Sequence, residues 1–245
     1  EVFFNDGMGG FSNSGQSLGS GSSFAVALGD LDADGDLDAF VANNGANKVW
    51  LNNGSGTFSD AGQSLGSGSS LAVALGDVDG DGDLDAFVGN SGGGEPNKVW
   101  LNDGSGSFVD SGLSMGALST RGVYLGDLDG DGDLDAFAAN FPANTVWLND
   151  GSGAFSDSGQ SLGTANTKAA GLADLDGDGD LDAFTVNDVA NKVWLNNGSG
   201  VFSDSGQSLG ATSSYEVSLG DVDGDGDLDA LVGEFAGGSE IWLNG

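Results

Sequence analysis

The sequence predicts an all-β fold assembled from five copies of one four-stranded antiparallel unit. Three observations predict it. Trp50, Trp100, Trp147, Trp194 and Trp242 recur every 47 to 50 residues, each inside Val-Trp-Leu-Asn or Ile-Trp-Leu-Asn. Short runs rich in Val, Phe, Trp and Leu are bounded by Gly, Asn, Asp and Ser, the pattern of brief strands. No segment sustains a helical period with caps.

The elements follow in order. In the first copy the strands are read at residues 25–29, 37–42, 48–52 and 58–64. The third and fourth are joined by Asn-Gly-Ser-Gly, because glycine supplies the positive φ of a tight hairpin. A four-stranded unit of this length has the size of a propeller blade, and one twisted sheet cannot bury both its faces alone. The chain 1–245 is therefore read as a single repeat domain, a five-bladed β-propeller of four-stranded antiparallel blades, with its ends joined to close the ring. Residues 2–18 offer a third and a fourth strand that would complete the blade begun at Glu216. Residues 241–244 then form a redundant third strand. An open arc of a larger ring or a linear stack of repeats satisfies the same pattern.

Between the first and second strands of each copy lies an acidic run with aspartate at positions 1, 3, 5, 7 and 9. These are Asp30, Asp32, Asp34, Asp36 and Asp38; Asp77, Asp79, Asp81, Asp83 and Asp85; Asp127, Asp129, Asp131, Asp133 and Asp135; Asp174, Asp176, Asp178, Asp180 and Asp182; and Asp221, Asp223, Asp225, Asp227 and Asp229. Adjacent carboxylates repel by ~1 kcal/mol per pair even in water. The chain has 38 acidic residues, 5 basic residues and no histidine, a formal charge of −33, so its own cations cannot neutralise the runs. A hard divalent cation with oxygen ligands can, and calcium suits flexible six- to eight-oxygen coordination better than magnesium does. Glycine at position 6 (Gly35, Gly82, Gly132, Gly179, Gly226) lets the loop turn about an ion. The loop is not an EF-hand, because position 12 holds Val41, Val88, Ala138, Thr185 and Val232 rather than glutamate. About five Ca2+ ions, one per repeat, are expected.

An Asp-x-Asp-x-Asp-Gly-Asp-Leu-Asp loop after a strand, with Trp-Leu-Asn-x-Gly-Ser-Gly-x-Phe following, resembles the FG-GAP or VCBS repeats of integrin-α-type β-propellers, over essentially the whole chain. The resemblance implies a ligand set. Positions 1, 3, 5 and 9 would bind calcium by side chains, as Asp30, Asp32, Asp34 and Asp38 do in the first loop. Position 7, Asp36 there, would bind through its carbonyl and keep a free carboxylate.

Function is narrowed by composition. Without cysteine or histidine, thiol chemistry, zinc–thiolate sites and histidine-based catalysis are absent, and no enzyme is expected. The negative charge argues against nucleic acid and anionic membranes, and no apolar run is long enough to insert. Extracellular calcium modules commonly bind at ~0.1–1 mM, which points to a secreted or cell-surface setting. Variation concentrates after the second strand and before the first, two connections that share one face of a meander. Arg121, Tyr124, Phe141, Lys168, Tyr215 and Phe235 lie in or near these segments and are the candidates for a ligand face. The tryptophans are assigned to the core between blades. The expected function is a structural or adhesive extracellular protein that self-assembles into matrix or filaments through its terminal strands. The alternative is a carbohydrate-binding, lectin-like module with a glycan or cell-surface partner.

Overall fold

A computed structural model describes residues 1–91, 94–235 and 238–245. Gly92, Gly93, Ala236 and Gly237 of the variable segments lie outside the described residues. Among the described residues there are 21 strands and no helix, so no helix is long and apolar enough to cross a membrane.

Four sheets are complete antiparallel meanders. The first is β3 (Ser23–Gly29), β4 (Asp38–Asn43), β5 (Lys48–Asn52) and β6 (Phe58–Asp60). The second is β7 (Ser70–Gly76), β8 (Asp85–Asn90), β9 (Lys98–Asn102) and β10 (Phe108–Asp110). The third is β11 (Ser119–Gly126), β12 (Asp135–Phe141), β13 (Thr145–Leu148) and β14 (Ser156–Asp157). The fourth is β15 (Thr167–Ala173), β16 (Asp182–Asn187), β17 (Lys192–Asn196) and β18 (Phe202–Asp204). A three-stranded sheet follows, β19 (Ser214–Gly220), β20 (Asp229–Glu234) and β21 (Glu240–Trp242), and a hairpin of β1 (Phe3–Asn5) and β2 (Phe11–Asn13) precedes. The fourth strands are shorter than expected, ending at Asp60 rather than residue 64 in the first sheet.

The sheets stack through their innermost strands in a propeller-like series: β3 on β7, β7 on β11, β11 on β15 and β15 on β19. The core lies in the seams. At the first seam, Phe40 and Val49 of one sheet pack with Val73, Leu75, Trp100 and Phe108 of the next. The next two seams repeat this with Phe87 against Phe155 and Phe137 against Phe202. These aromatic pairs meet edge to face at 5.4, 5.5 and 5.8 Å, the arrangement favoured by the ring quadrupole. Trp100, Trp147 and Trp194 are buried in the same seams, as the sequence implied.

The expected joining of the ends is not made. Among the described residues hairpin β1–β2 forms a sheet of its own, and β19–β21 form a sheet of three strands. The third-strand place of the last sheet is held by Asn244, which donates N–H to Asp229 at 2.8 Å and Nδ2 to the Leu175 carbonyl at 2.8 Å. The hairpin is held at the other end by Gln16, which donates Nε2 to the Gly56 carbonyl at 2.7 Å and accepts the Phe58 N–H at 2.9 Å.

Each innermost strand carries a register irregularity at the same place, at Phe24, Leu71, Arg121, Lys168 and Tyr215. A bulge frees one residue from the ladder and re-aims its side chain.

Candidate metal centres

Each acidic loop joins an innermost strand to the strand beside it, so its first aspartate directly follows one strand and its ninth begins the next. The sharp turn falls at position 6, where Gly35, Gly82, Gly132, Gly179 and Gly226 have φ between +92° and +103°. Their N–H groups donate to the position 1 carboxylates at 3.0 to 3.2 Å, which folds each loop back on its first aspartate. Position 9 is the anchor. Asp38, Asp85, Asp135 and Asp182 are fully buried. Asp85 accepts N–H bonds from Val78 at 3.0 Å and Asn102 at 2.8 Å, and the other loops repeat both bonds.

The asparagine that closes Trp-Leu-Asn was not singled out in the sequence, yet it ties the loops together. Asn102, Asn149, Asn196 and Asn244 donate Nδ2 to the carbonyls of Leu31, Val78, Leu128 and Leu175, at position 2 of the preceding loop, over 2.7 to 2.9 Å. Gln63 and Gln160 likewise bridge sheets, donating to Gly106 and Gly200 and accepting from Phe108 and Phe202. Recurrence of Asn after Trp-Leu and of Gln in Gly-Gln-Ser-Leu was the signal that could have found them.

Carboxylate oxygens converge in every loop. Asp30, Asp32 and Asp38 each bring one oxygen within 4.8 Å of the others, as do Asp77, Asp79 and Asp85; Asp127, Asp129 and Asp135; and Asp174, Asp176 and Asp182. The fifth loop gathers Asp221, Asp223 and Asp225 instead. Position 5 otherwise lies outside the clusters. Asp34, Asp81, Asp131 and Asp178 accept the position 7 N–H at 2.9 to 3.0 Å. The position 7 carboxylates of Asp36, Asp83, Asp133 and Asp180 turn toward the glycines of the hairpin turns, Gly54, Gly104, Gly151 and Gly198.

The electrostatics suit a cation. Burial pushes the Asp85 and Asp135 carboxyls up to about 6, with N–H bonds pulling the other way. Burial also raises Asp182, and raises Asp32, Asp79 and Asp129 at position 3 together with neighbouring aspartates. Oδ1 of Asp32 and of Asp129 is buried with no hydrogen-bond partner. An orphaned carboxylate oxygen facing two other carboxylates has the chemistry of a cation ligand, and the residues present fit a hard metal ion.

The chain matches the FG-GAP-like repeat over residues 30–88, 77–138, 127–185 and 174–232. The chain belongs to the FG-GAP-like repeat family. Each match of this FG-GAP-like repeat runs from one acidic loop through the innermost pair of strands of the next sheet. Among curated proteins none matches the chain in sequence. Solved structures share its fold. A lectin of Agrocybe aegerita that recognises non-reducing terminal N-acetylglucosamine is 22% identical, with a TM-score of 0.59 over 99% of this chain and 74% of that one. The V. cholerae biofilm matrix protein Bap1 is 20% identical, with a TM-score of 0.56 over 90% of this chain and 37% of that one. BBS1N, solved in complex with ARL6DN, is 11% identical, with a TM-score of 0.60 over 96% of this chain and 65% of that one. At these identities the likeness is one of fold alone.

On the opposite face of this FG-GAP-like repeat protein, the ligand-face candidates separate. Arg121, Lys168 and Tyr215 are the bulge residues of successive sheets. The Lys168 ammonium stands 5.9 Å from the Tyr215 ring centre, and Tyr215 lies 5.8 Å from Phe235. Burial and the Arg121 cation lower the Lys168 pKa. Phe141 is exposed. Tyr124 is a correction: it packs in the seam between the third and fourth sheets, and its hydroxyl accepts the Ala170 N–H at 2.8 Å. Ala170, a small residue of the next sheet, packs in the same cluster. The three lysines at the start of third strands, Lys48, Lys98 and Lys192, pair with Asp60, Asp110 and Asp204 at 3.1 to 3.4 Å.

Proposed function

We propose that this chain is an extracellular calcium-binding protein with a structural or adhesive role, in which one calcium ion stabilises each repeat. The observation that supports it is the convergence of three carboxylates in every acidic loop. In the first four loops the aspartates at positions 1, 3 and 9 would hold the ion, and in the fifth Asp221, Asp223 and Asp225. An all-oxygen donor set without nitrogen or sulfur favours calcium among common ions, and a bound ion neutralises carboxylates that otherwise repel. The ion contributes folding stability rather than catalysis, and dependence on millimolar calcium suits an extracellular setting. The shared fold with a biofilm matrix protein is in keeping with a structural role. Calcium titration by calorimetry on chelator-stripped protein tests the reading. About five sites with affinities near millimolar support it; no heat above that of magnesium would sink it.

A second reading is recognition of acidic glycans. In a chain of charge −33, Arg121 and Lys168 stand at neighbouring bulges, and Tyr215 and Phe235 beside them offer aromatic faces. A groove of 470 Å3 between the third and fourth sheets opens on the same side, lined by Asn144, Thr167, Thr185, Asn187 and Trp194 among others. A glycan-array signal lost in Arg121→Ala or Tyr215→Ala would favour this reading, and a blank array would leave the structural role.

A further inference from the structure

In the four complete sheets the turn between the third and fourth strands is tied by one side chain. Asn53 Oδ1 accepts the Ser55 N–H at 3.1 Å, the Ser55 hydroxyl at 2.7 Å and the Thr57 N–H at 3.3 Å. Asn197 Oδ1 accepts the N–H of Ser199 at 3.1 Å and of Val201 at 3.3 Å. In the second and third sheets the same place is held by Asp103 and Asp150, whose Oδ1 atoms accept the N–H and the hydroxyl of Ser105 and Ser152. These serine bonds hold both carboxyls below the usual carboxylate range, so the turn suits an ionised carboxylate.

Asparagine followed by glycine carries its own chemistry. The glycine nitrogen attacks the side-chain amide carbon, because no β-carbon on the glycine shields it. Negative charge then develops on Oδ1, and donors already aimed at that atom stabilise it. The reaction needs a glycine N–H without another partner and a leaving Nδ2 open to solvent. Asn-Gly occurs four times, at Asn44, Asn53, Asn197 and Asn244. The fold separates the four. Asn53 and Asn197 are exposed, and among the described residues neither their Nδ2 groups nor the N–H groups of Gly54 and Gly198 make a hydrogen bond. Beside Asn44 the Gly45 N–H is committed to the Gly68 carbonyl at 2.7 Å, and among the described residues no donor reaches the Asn44 side chain. At Asn244 the leaving group is committed, with Nδ2 donating to the Leu175 carbonyl at 2.8 Å.

We propose that Asn53 and Asn197 are sites of spontaneous deamidation, where the donors of the turn act as an oxyanion hole and water is the co-reactant. The Gly54 nitrogen bonds to Cγ of Asn53 and gives up its proton to solvent. Nδ2 takes up a proton and leaves as ammonia, which closes a cyclic imide. Water then adds at Cγ, the bond from Cγ to the glycine nitrogen breaks, and that nitrogen regains a proton. The product is aspartate, and nothing is oxidised or reduced. Asn197 and Gly198 follow the same course. Each conversion adds one negative charge and gives the first and fourth sheets the turn that Asp103 and Asp150 already form in the second and third. The charge arrives beside the acidic loops, since a β-carbon at Gly54 or Gly198 would meet the Asp36 or Asp180 carboxylate.

The test holds the folded 245-residue chain in heavy-oxygen water at mildly alkaline pH and maps its peptides by mass over time. Heavy oxygen in the new carboxylate marks conversion that took place during the experiment. A parallel sample in urea gives the rates without the fold. In the folded chain Asn53 and Asn197 are expected to convert at least ~10-fold faster than Asn44 and Asn244, the difference one or two hydrogen bonds make. In urea Asn44, Asn53 and Asn197 should converge. Ser55→Ala, checked for folding by circular dichroism, should slow Asn53 by ~10-fold and leave Asn197 unchanged. Asn53→Asp should melt with the unmodified chain, since Asp103 and Asp150 occupy the same turn. Folded Asn44 converting as fast as Asn53 overturns the proposal. So does a folded chain that keeps both amides while the chain in urea loses them, or an Asn53 rate that Ser55→Ala does not change.

Discussion

At position 9 of each loop a carboxylate is buried beneath the next hairpin and satisfied by two backbone N–H groups, as Asp85 is by Val78 and Asn102. Burial raises the proton affinity of Asp85, Asp135 and Asp182, to about 6 for the first two. The unfolded value is ~4, so without a cation the folded chain binds these protons more tightly than the unfolded one. The contribution of these carboxyls to the stability of the calcium-free protein should therefore be greatest below ~4 and fall as pH rises through 6. A cation replaces the proton. Calcium uptake at pH 6 should release protons, seen as binding heats that differ between two buffers of unlike ionisation enthalpy and converge at pH 8. Equal heats at pH 6 would place these carboxyls near the ordinary range. Asp85→Asn leaves an amide facing two N–H donors and should cost ~1–3 kcal/mol in urea unfolding, with one calcium site lost.

At the scale of the element, the loop and the hairpin turn fit each other through glycine. Gly104 has φ +73°, and a β-carbon there would meet the Asp83 carboxylate. Gly104→Ala combines left-handed backbone strain with displacement of Asp83, so it should destabilise by more than the ~1–2 kcal/mol of the backbone alone. Loop position 4 gives the opposite case. Gly80, Gly130, Gly177 and Gly224 occupy it with positive φ, but the first loop has Ala33 at φ +60°. Ala33→Gly should stabilise by up to about 1 kcal/mol, because relief of left-handed strain outweighs the flexibility glycine adds to the unfolded chain. A denaturation midpoint that falls in Ala33→Gly would refute the assigned loop geometry.

Across the whole molecule, charge and packing are coupled. The seams bury aromatic and aliphatic side chains, while the loop ends concentrate most of a −33 charge. At ten times its dissociation constant each independent site adds ~1.4 kcal/mol, and five add ~7 kcal/mol, comparable with the stability of an ordinary domain. Chelation should lower the melting temperature sharply, and sodium chloride at matched ionic strength should recover only part of the loss. Because Asn102, Asn149 and Asn196 tie each loop to its neighbour, the melt should remain a single transition rather than unfold repeat by repeat.

Much of this was legible in the sequence for a simple reason. Repetition averages out local noise: five tryptophans, five glycine turns and five aspartate runs at constant spacing report the strand order and the loops without a tertiary fold. Periodicity says nothing of which copies of an element compete for one place. The hairpin at residues 3–13 and β21 both read as third-strand material, and only the bonds of Gln16 and Asn244 assign them to opposite ends. Nor does it resolve the loop's interior, where in the first four loops position 5 caps a backbone N–H while positions 1, 3 and 9 converge. Tyr124 reads as a surface candidate because it lies near the variable segments, yet it packs against the next sheet, where its hydroxyl accepts the Ala170 N–H. Composition and spacing determined the repeat, the strands and the acidic loops, since these depend on short-range chemistry. The bulges, the ties between loops and the placing of Tyr124 were decided by the tertiary structure, since each depends on which sheet stands next to which.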